Sequence, residues 1–147
     1  MRDIDPKSAP LTQIFSLLTG GIAPRPIALV STVSEKGIDN LAPFSFFNAF
    51  GANPPIVVFS PARHGKSGAT KDTYNNLINN RECVIQTVTY DIVEQVHLTS
   101  GELDKNVNKF KKSGLTPIPS RRVKPMRVQE SPFQMECRLQ QMIPLGE

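Results

Sequence analysis

The sequence contains few of the residues on which metal and disulfide chemistry depend. Its 147 residues include only two cysteines and two histidines. Cys83 and Cys137 each lie inside an apolar stretch, and no metal-binding spacing links them to His64 or His97. Neither histidine belongs to a recognisable nucleophile constellation, so a hydrolytic triad is not supported. We therefore expect the two cysteines to be buried free thiols in a reducing cytoplasm.

A targeting or membrane segment is also absent from the sequence. The opening residues, MRDIDPKSAP, have no apolar run after their charges, so they do not form a secretory signal. No window approaches the ~20 apolar residues that cross a membrane. We therefore expect a soluble cytoplasmic protein without membrane contact and, at this length, a single domain over residues 1–147.

A strong charge imbalance is missing too, because 17 Lys and Arg residues face 13 Asp and Glu residues, a net charge of +4. The basic residues are spread along the chain apart from one cluster, made of Arg121, Arg122, Lys124 and Arg127. No aromatic residue is interleaved with this cluster. We therefore interpret the cluster as a solvated loop rather than a nucleic-acid surface. A basic nucleic-acid-binding barrel is the functional hypothesis that we rank last.

Apolar periodicity predicts short strands with a few helices inserted between them. The predicted strands are residues 27–33, 40–45 with its continuation to 50, 56–60, 82–89 and 133–139. The predicted helices are residues 11–18, 70–80, a segment starting at 91, and 107–112. Residues 115–125, LTPIPSRRVKP, are too proline-rich for regular structure. This order favours a mainly β fold, an antiparallel barrel or sandwich with helical insertions, over a doubly wound parallel sheet.

The segment NLAPFSFFNAF, residues 40–50, does not alternate as one simple strand should. Phe44, Phe46 and Phe47 cannot all face a single core, so some aromatic surface must meet a ligand, a second subunit or another layer. The polar residues interleaved with them are Asn40, Ser45 and Asn48. Such a mixture suits a flat ligand with polar edges, and a hydrophobic core with satisfied polar groups is the alternative.

The segment SPARHGKSGATKDT, residues 60–73, contains half of a nucleotide-binding loop. Gly65, Lys66 and Ser67 match the second half of that motif, but its first glycine would fall on Ser60. Pro61 stiffens a loop whose amides would have to wrap the phosphates, and no acidic residue ends an apolar strand to bind Mg²⁺. A nucleoside triphosphatase is therefore not supported, and no metal is expected.

The same segment does concentrate cations and hydroxyls at the predicted start of a helix. These residues are Arg63, Lys66, Ser67, Thr70, Lys71 and Thr73. Backbone N–H groups and the helix dipole favour an anion at such a position. A phosphate held without Mg²⁺ points to a phosphate monoester on a cofactor. The alternative is a solvated basic loop whose helix is capped by Thr70 or Asp72.

Several short segments are each a weak indication of a protein family, but their order and spacing together are specific. They are PRPIALVST at 24–32, NLAPFSFFN at 40–48, PPIVVFS at 54–60, KDT at 71–73, GLTPIPS at 114–120 and SPFQMECRL at 131–139. Together they resemble the flavin reductase-like family of FMN-binding split β-barrels, across nearly the whole chain. That family includes flavoredoxins and the reductase components of two-component flavin monooxygenases.

The resemblance implies a six-stranded Greek-key split barrel, usually a homodimer, with FMN near the subunit interface. The residues that it assigns to the cofactor are Ser31, Thr32, Asn40, Leu41, Ala42, Ser45, Phe46, Phe47, Asn48, Arg63, Lys71 and Thr73. Lys71 and Thr73 would hold the phosphate, with Arg63 or Lys66 beside them. Family members continue beyond the point that matches residues 144–147, so the resemblance predicts a C-terminally truncated domain that lacks one or more strands. The exposed sheet edge would then have unpaired backbone N–H and C=O groups that can bind another chain.

The resemblance also implies an FMN-dependent oxidoreductase of the flavin reductase type. NADH or NADPH would supply a hydride to the flavin, and the electrons would pass to an oxygenase or another acceptor. No catalytic residue is named, because hydride transfer needs neither an acid nor a base. The alternative is a non-catalytic flavin- or nucleotide-binding barrel. In either case we expect Lys71→Ala to weaken FMN binding more than Lys66→Ala.

Overall fold

The structure is a computed structural model that describes residues 3–65, 67–101, 104 and 106–145. Its strands are β1 (Ala28–Val33), β2 (Asp39–Phe44), β3 (Phe47–Ala52), β4 (Pro55–Phe59), β5 (Glu82–Thr87), β6 (Pro117–Ile118), β7 (Arg127–Val128) and β8 (Gln134–Arg138). Its α-helices are α1 (Leu11–Gly21), α2 (Asp72–Asn80), α3 (Val93–Thr99) and α4 (Lys109–Ser113), with a 3-10 turn at Tyr90–Ile92 before α3. The expected mainly β fold with helical insertions is confirmed.

The main sheet has four antiparallel strands in the order β2-β1-β5-β8. Val30 of β1 lies at its centre, opposite Ala42 of β2 on one side and Ile85 of β5 on the other. Strands β3 and β4 form a separate hairpin, and β6 pairs with β7. Over the described residues the sheet does not close on itself, so β2 and β8 are its edges.

Both faces of the sheet are covered, which explains why strand β1 is buried along almost its whole length. One face carries Ala28 and Val30, against which Leu77 of α2 packs. The other face carries Leu29, which packs in one cluster with Val96 of α3 and Phe110 of α4. Helices α2, α3 and α4 all contact the edge strand β2. Helices from opposite faces therefore approach each other at this edge.

The phenylalanine-rich segment is two strands, whereas we expected one continuous partner of β1. Strand β2 ends at Phe44, and β3 begins at Phe47 in the separate hairpin with β4. Phe44 is buried against Phe59 with ring centroids 5.3 Å apart, whereas Phe46 is exposed and meets Phe15 of α1 edge-on. The break at Ser45 thus separates side chains that one strand could not have directed into one core.

Three local expectations need correction. The proline-rich stretch contains regular structure, because Pro117–Ile118 pairs as β6 with β7. The alternation of apolar and polar residues over 133–139 predicts that Phe133 points inward. In the structure β8 starts one residue later, at Gln134, and Phe133 is 57% exposed. The sequence of the helix that starts at 91 predicts a cap at Asp91 and an inward Val93. In the structure Val93 is exposed, and helix α3 begins there after the 3-10 turn without a side-chain cap from Asp91.

Candidate functional site

A cavity of ≈ 280 Å³ lies where helices from the two faces of the sheet meet around β2. Strand β2 supplies its floor, the segment before α2 and the start of α2 supply one wall, and α3 and α4 supply the other. The lining residues are Asn40, Ala42, Pro43, Arg63, His64, Gly65, Ala69, Thr70, Lys71, Asp72, Thr73, Thr99, Ser100, Gly101 and Lys109. The cavity therefore lies at the helix start that the sequence singled out.

The start of helix α2 presents donors to this cavity. Lys71 is its N-cap residue in extended conformation, and the Lys71 side chain makes no capping hydrogen bond. The first N–H groups of a helix have no acceptor within the helix, and its dipole concentrates positive potential there. Thr70 does not cap α2, because its hydroxyl donates to the side-chain oxygen of Asn75 at 2.8 Å. The first turn of α2 is therefore suited to an anion.

A buried polar network holds that first turn against the sheet. The side-chain amide of Asn40 donates to the hydroxyl of Thr73 at 3.0 Å and to that of Thr32 at 3.2 Å. Asn76 of α2 donates to the same Thr32 oxygen at 3.0 Å. All four residues are buried, so each hydrogen bond replaces one that water would otherwise make. The network fixes the position of α2 relative to β1 and β2.

Of the residues that the structure describes, three cationic side chains line the cavity from different segments. The ammonium of Lys71 lies 5.5 Å from the centroid of the Phe44 ring, a cation–π contact that limits its freedom. The guanidinium of Arg63 donates to the carbonyl of Gly68 at 2.9 Å, which folds the loop before α2 around it. Lys109 enters from α4 and is only 9% exposed, with its ammonium 3.4 Å from the carbonyl oxygen of Thr99.

The environment of the buried Lys109 disfavours its charged form. Burial lowers the pKa of Lys109 below its usual 10.5, the Asp72 carboxylate partly offsets that shift, and repulsion from Lys71 lowers the pKa further. Among the lining residues that the structure describes, Asp72 is the one carboxylate, and its charge acts on Lys109. A bound anion would relieve the repulsion between the two ammonium groups.

The structure brings five of the twelve predicted cofactor residues together at this cavity. They are Asn40, Ala42, Arg63, Lys71 and Thr73. Ser31, Thr32 and Leu41 are fully buried beneath it, in β1 and β2. Ser31 donates its hydroxyl to the carbonyl of Met126 at 2.5 Å, and Leu41 packs in the core with Leu29. Lys66, named beside Arg63 in the sequence, lies outside the described residues.

The other four predicted residues occupy the junction between β2 and β3, next along the chain from the cavity floor. Ser45 is half-buried, Phe46 is exposed, Phe47 packs against the core, and Asn48 accepts a hydrogen bond from the N–H of Ala49 at 2.8 Å. This junction presents an exposed aromatic ring beside polar side chains. It does not line the cavity itself.

Sequence reasoning missed the wall that α3 and α4 contribute. Thr99, Ser100, Gly101 and Lys109 line the cavity, and none of them belongs to a recognisable motif. Lys109 lies in the lysine-rich run KFKKS, in which it is buried while Lys111 and Lys112 are exposed. Asn108 marks the start of α4, because its side chain accepts hydrogen bonds from the N–H groups of Phe110 and Lys111, but no local signal separates Lys109 from the other two lysines.

The basic cluster considered for nucleic acid is partly engaged within the protein. Arg127 donates to the carbonyl of Pro119 and to the side chain of Gln134, and it lies 3.8 Å from the Glu136 carboxylate. The same carboxylate accepts hydrogen bonds from the backbone of Arg121 and Arg122. These contacts organise the loop and offer a structural role for part of the cluster.

Comparison with known sequences places the chain in a family. Residues 20–147 match the flavin reductase like domain, so the chain belongs to that family. An uncharacterized protein of Aquifex aeolicus is 38% identical over 132 residues, which cover 90% of this chain and 67% of that protein. Among the helices of the described residues, none is long and apolar enough to cross a membrane.

Solved structures agree with this membership. Nitrilotriacetate monooxygenase component B from Bacillus cereus superposes with a TM-score of 0.94 at 37% identity, over 100% of this chain and 72% of that one. The 2-nitrobenzoate 2-nitroreductase NbaA from Pseudomonas fluorescens superposes with a TM-score of 0.86 at 29% identity, over 99% of this chain and 69% of that one. The fold is thus that of the split-barrel flavin reductases, and the resemblance seen in the sequence is confirmed.

Proposed function

We propose that this chain is an FMN-binding domain of an NAD(P)H-dependent flavin reductase or a flavoredoxin-like electron-transfer protein. Family membership supports a flavin-related function. The observation that carries the choice of FMN is the cavity at the start of α2, which Lys71 and the buried Lys109 both line. Two confined cations that repel each other are suited to a phosphate monoester, which carries close to two negative charges at neutral pH.

The residues around the cavity fit a single phosphate group in both size and donor chemistry. Lys71, Lys109 and Arg63 offer charged donors, and the uncapped first turn of α2 offers backbone N–H groups. Among the described residues no group of three or more His, Cys, Asp or Glu side chains could hold a metal. The cations would therefore balance the phosphate charge directly.

The remainder of the flavin would extend from the cavity along β2 towards its junction with β3. Ala42 and Pro43 line the cavity, and Ser45 to Asn48 follow directly in the chain with polar groups and the exposed ring of Phe46. This proposed path would include nine of the twelve predicted cofactor residues. They are Asn40, Ala42, Ser45, Phe46, Phe47, Asn48, Arg63, Lys71 and Thr73. Ser31, Thr32 and Leu41 would support it from beneath through packing and hydrogen bonds.

The bound flavin supplies the redox chemistry, as a cofactor that accepts a hydride and passes electrons on. The work of this chain is to bind, orient and shield it. Lys71 and Lys109 anchor the phosphate, and the network of Thr32, Asn40, Thr73 and Asn76 keeps the anchor fixed relative to the sheet. No residue is proposed as a catalytic acid or base.

Visible absorbance and NAD(P)H oxidation test this function on the purified protein. We expect FMN to bind with a shifted flavin spectrum, and NADH or NADPH to be oxidised only when FMN is present. Saturable FMN binding without oxidation of either nicotinamide would favour the non-catalytic flavin-binding barrel. No binding and no FMN-dependent oxidation would refute the proposed function of this chain.

We also propose that two copies of the chain associate, and that an oxygenase or another acceptor takes the electrons. Helix α1 buries none of its side chains within the chain, and it exposes Leu11, Phe15 and Leu18. Exposed apolar residues at this density favour an interface. The printed name of the B. cereus protein, component B of a monooxygenase, supports an oxygenase partner. Light scattering of the purified protein tests the dimer. We also propose a cytoplasmic location, because the two free thiols of the chain fit a reducing compartment.

A further inference from the structure

The two cysteines, 54 positions apart in the sequence, are direct neighbours in the main sheet. Cys83 of β5 is the register partner of Cys137 of β8. Both side chains belong to the same apolar cluster, so both point to the same face of the sheet. Both are free thiols.

The backbone pairing places the two residues at a distance that a disulfide can span. Opposite pairs two and four residues along β5 from the cysteine pair are hydrogen-bonded across the two strands. The N–H of Leu139 donates to the carbonyl of Arg81 at 2.8 Å, and the N–H of Thr87 donates to the carbonyl of Phe133 at 3.1 Å. Alternation along antiparallel strands makes the cysteines a hydrogen-bonded pair, with Cα atoms about 5.5 Å apart. Disulfides join Cα atoms about 4.4 to 6.8 Å apart, so the Cα spacing is already suitable. The Cβ atoms of a hydrogen-bonded pair lie about 5.5 Å apart, so they must approach by about 1 Å before the bond can form.

The two thiols differ in exposure and in acidity, which assigns each a different role. Cys83 is only 3% exposed, whereas Cys137 is half-buried on the edge strand β8. The neighbouring thiol is the first cause of both pKa shifts, raising the pKa of Cys83 and lowering that of Cys137. The Cys137 thiol donates to the carbonyl oxygen of Met135 at 3.4 Å. Cys137 is therefore the group that an oxidant reaches first, and Cys83 is the group that resolves the product.

We propose that Cys83 and Cys137 form a peroxide-sensitive dithiol that closes reversibly to a cross-strand disulfide. The Cys137 thiolate attacks hydrogen peroxide, so that an S–O bond forms, the O–O bond breaks and the released hydroxide leaves as water. The Cys83 sulfur then attacks the Cys137 sulfur, the S–S bond forms, the S–O bond breaks and a second water leaves. Two thiols lose two electrons in total, and the peroxide gains them. A small dithiol reductant reverses the change.

The disulfide would link the edge strand β8 covalently to its neighbour β5. It would also close a covalent loop that contains one wall of the cavity. The loop between the two cysteines is about 50 residues long and contains Thr99 and Lys109. Reduced flavins give hydrogen peroxide when they pass two electrons to dioxygen. That source of the oxidant rests on the proposed function, whereas the pairing of the cysteines does not.

Intact-mass spectrometry of the native, flavin-free protein treated with hydrogen peroxide tests the pairing. We expect both thiols to disappear and the mass to fall by about 2 Da, the loss of two hydrogens. A non-reducing tryptic digest should link the peptide that begins at Glu82 to VQESPFQMECR, residues 128–138. The melting temperature should rise by roughly 5 to 10 °C and return after dithiothreitol.

Cys137→Ser and Cys83→Ser are the matched controls, and Cys137→Ser is the milder change because its site is half-buried. Neither variant should lose about 2 Da or gain stability on treatment. The proposal is overturned if Cys83 or Cys137 itself instead gains about 16 or 32 Da in the digest, if the link forms only between two chains, or if both thiols survive treatment. Because peroxide is added directly, this result does not depend on whether the protein binds flavin.

Discussion

The side-chain amide of Asn40 donates a hydrogen bond to the hydroxyl of Thr73 at 3.0 Å, and this bond ties strand β2 to the first turn of helix α2. Both groups are buried, so the helix start cannot move without leaving a polar group unpaired. The same helix start lines the cavity with Lys71 and Thr73. The geometry of the proposed phosphate site therefore depends on a contact between residues far apart in sequence.

Removal of the Thr73 hydroxyl should weaken both the fold and the site. Thr73→Val keeps the side-chain volume but leaves the buried Asn40 amide with one acceptor fewer, so the free energy of unfolding should fall by about 1–3 kcal/mol. Binding of FMN should weaken as well, because the first turn of α2 is no longer held. Thr73→Ser retains the hydroxyl and should preserve most of both properties. Urea unfolding and FMN titration measure them, and equal behaviour of the two variants would contradict this role.

Lys71→Ala should weaken FMN binding without unfolding the protein. The variant removes a charged donor at the cavity, and a charge-assisted contact of this kind corresponds to roughly a 10- to 100-fold change in the dissociation constant. Lys111→Ala, which removes an exposed lysine from α4, is the charge-matched control and should leave the constant nearly unchanged. Fluorescence titration measures it. A larger loss in Lys66→Ala than in Lys71→Ala would show that the phosphate lies elsewhere.

Lys109→Met should stabilise the flavin-free protein and weaken its binding of FMN. The lowered pKa of Lys109 means that the folded state binds this proton less well than the unfolded state does. The free energy of unfolding of the wild type should therefore rise as the pH increases from the lowered pKa of Lys109 towards 10.5. At pH 7 the variant lacks the buried charge, so its melting temperature should be higher by about 2–4 °C, and the gap should narrow at alkaline pH.

The control for this prediction is Lys111→Met, which replaces an exposed lysine two residues along the same helix. It should shift neither the FMN affinity nor the pH dependence. Thermal melts between pH 7 and pH 10 with FMN titrations at pH 7 give both readouts. A Lys109→Met protein that is less stable and binds FMN normally would show that the lysine has a packing role alone.

Glu136→Gln should destabilise the loop before β7 in a pH-dependent way. The Glu136 carboxylate accepts the backbone N–H groups of Arg121 and Arg122, and the hydrogen bond from Arg121 is the main cause that lowers its pKa below the usual 4.5. Stability from this group is present above pH 4.5 and is lost as the pH falls below it. The variant should melt about 3–6 °C lower at pH 7, with a smaller difference at pH 3.

Glu94→Gln, at an exposed glutamate of α3, controls for the loss of one negative charge. Its melting temperature should follow that of the wild type at both pH values. A constant difference between Glu136→Gln and the wild type from pH 7 to pH 3 would contradict the assignment of the effect to the carboxylate.

Local elements could be predicted from the sequence because their signals are local. The apolar run of β1 and the start of α2 near Lys71 follow from apolar patterning and from the polar residues that precede a helix. The break at Ser45 was missed as a strand boundary. The surplus of phenylalanines did indicate that a single strand could not bury them all.

The contacts that define the site could not be predicted in the same way. Lys109 resembles its neighbours Lys111 and Lys112 in the sequence, and only the packing of α4 beside β2 brings it to the cavity. The pairing of Cys83 with Cys137 depends on the register of β5 and β8. A local pattern indicates which face of an element is apolar, but it does not specify which distant residue lies opposite.

Parallel titrations with FMN and riboflavin test the central claim, that the cavity at the start of α2 binds the phosphate of a flavin mononucleotide. The two ligands share the ring and the ribityl chain and differ in the phosphate. The account predicts that FMN binds at least about 10-fold more tightly than riboflavin, and that Lys71→Ala removes most of that difference. Equal affinities for FMN and riboflavin in the wild-type protein would contradict it.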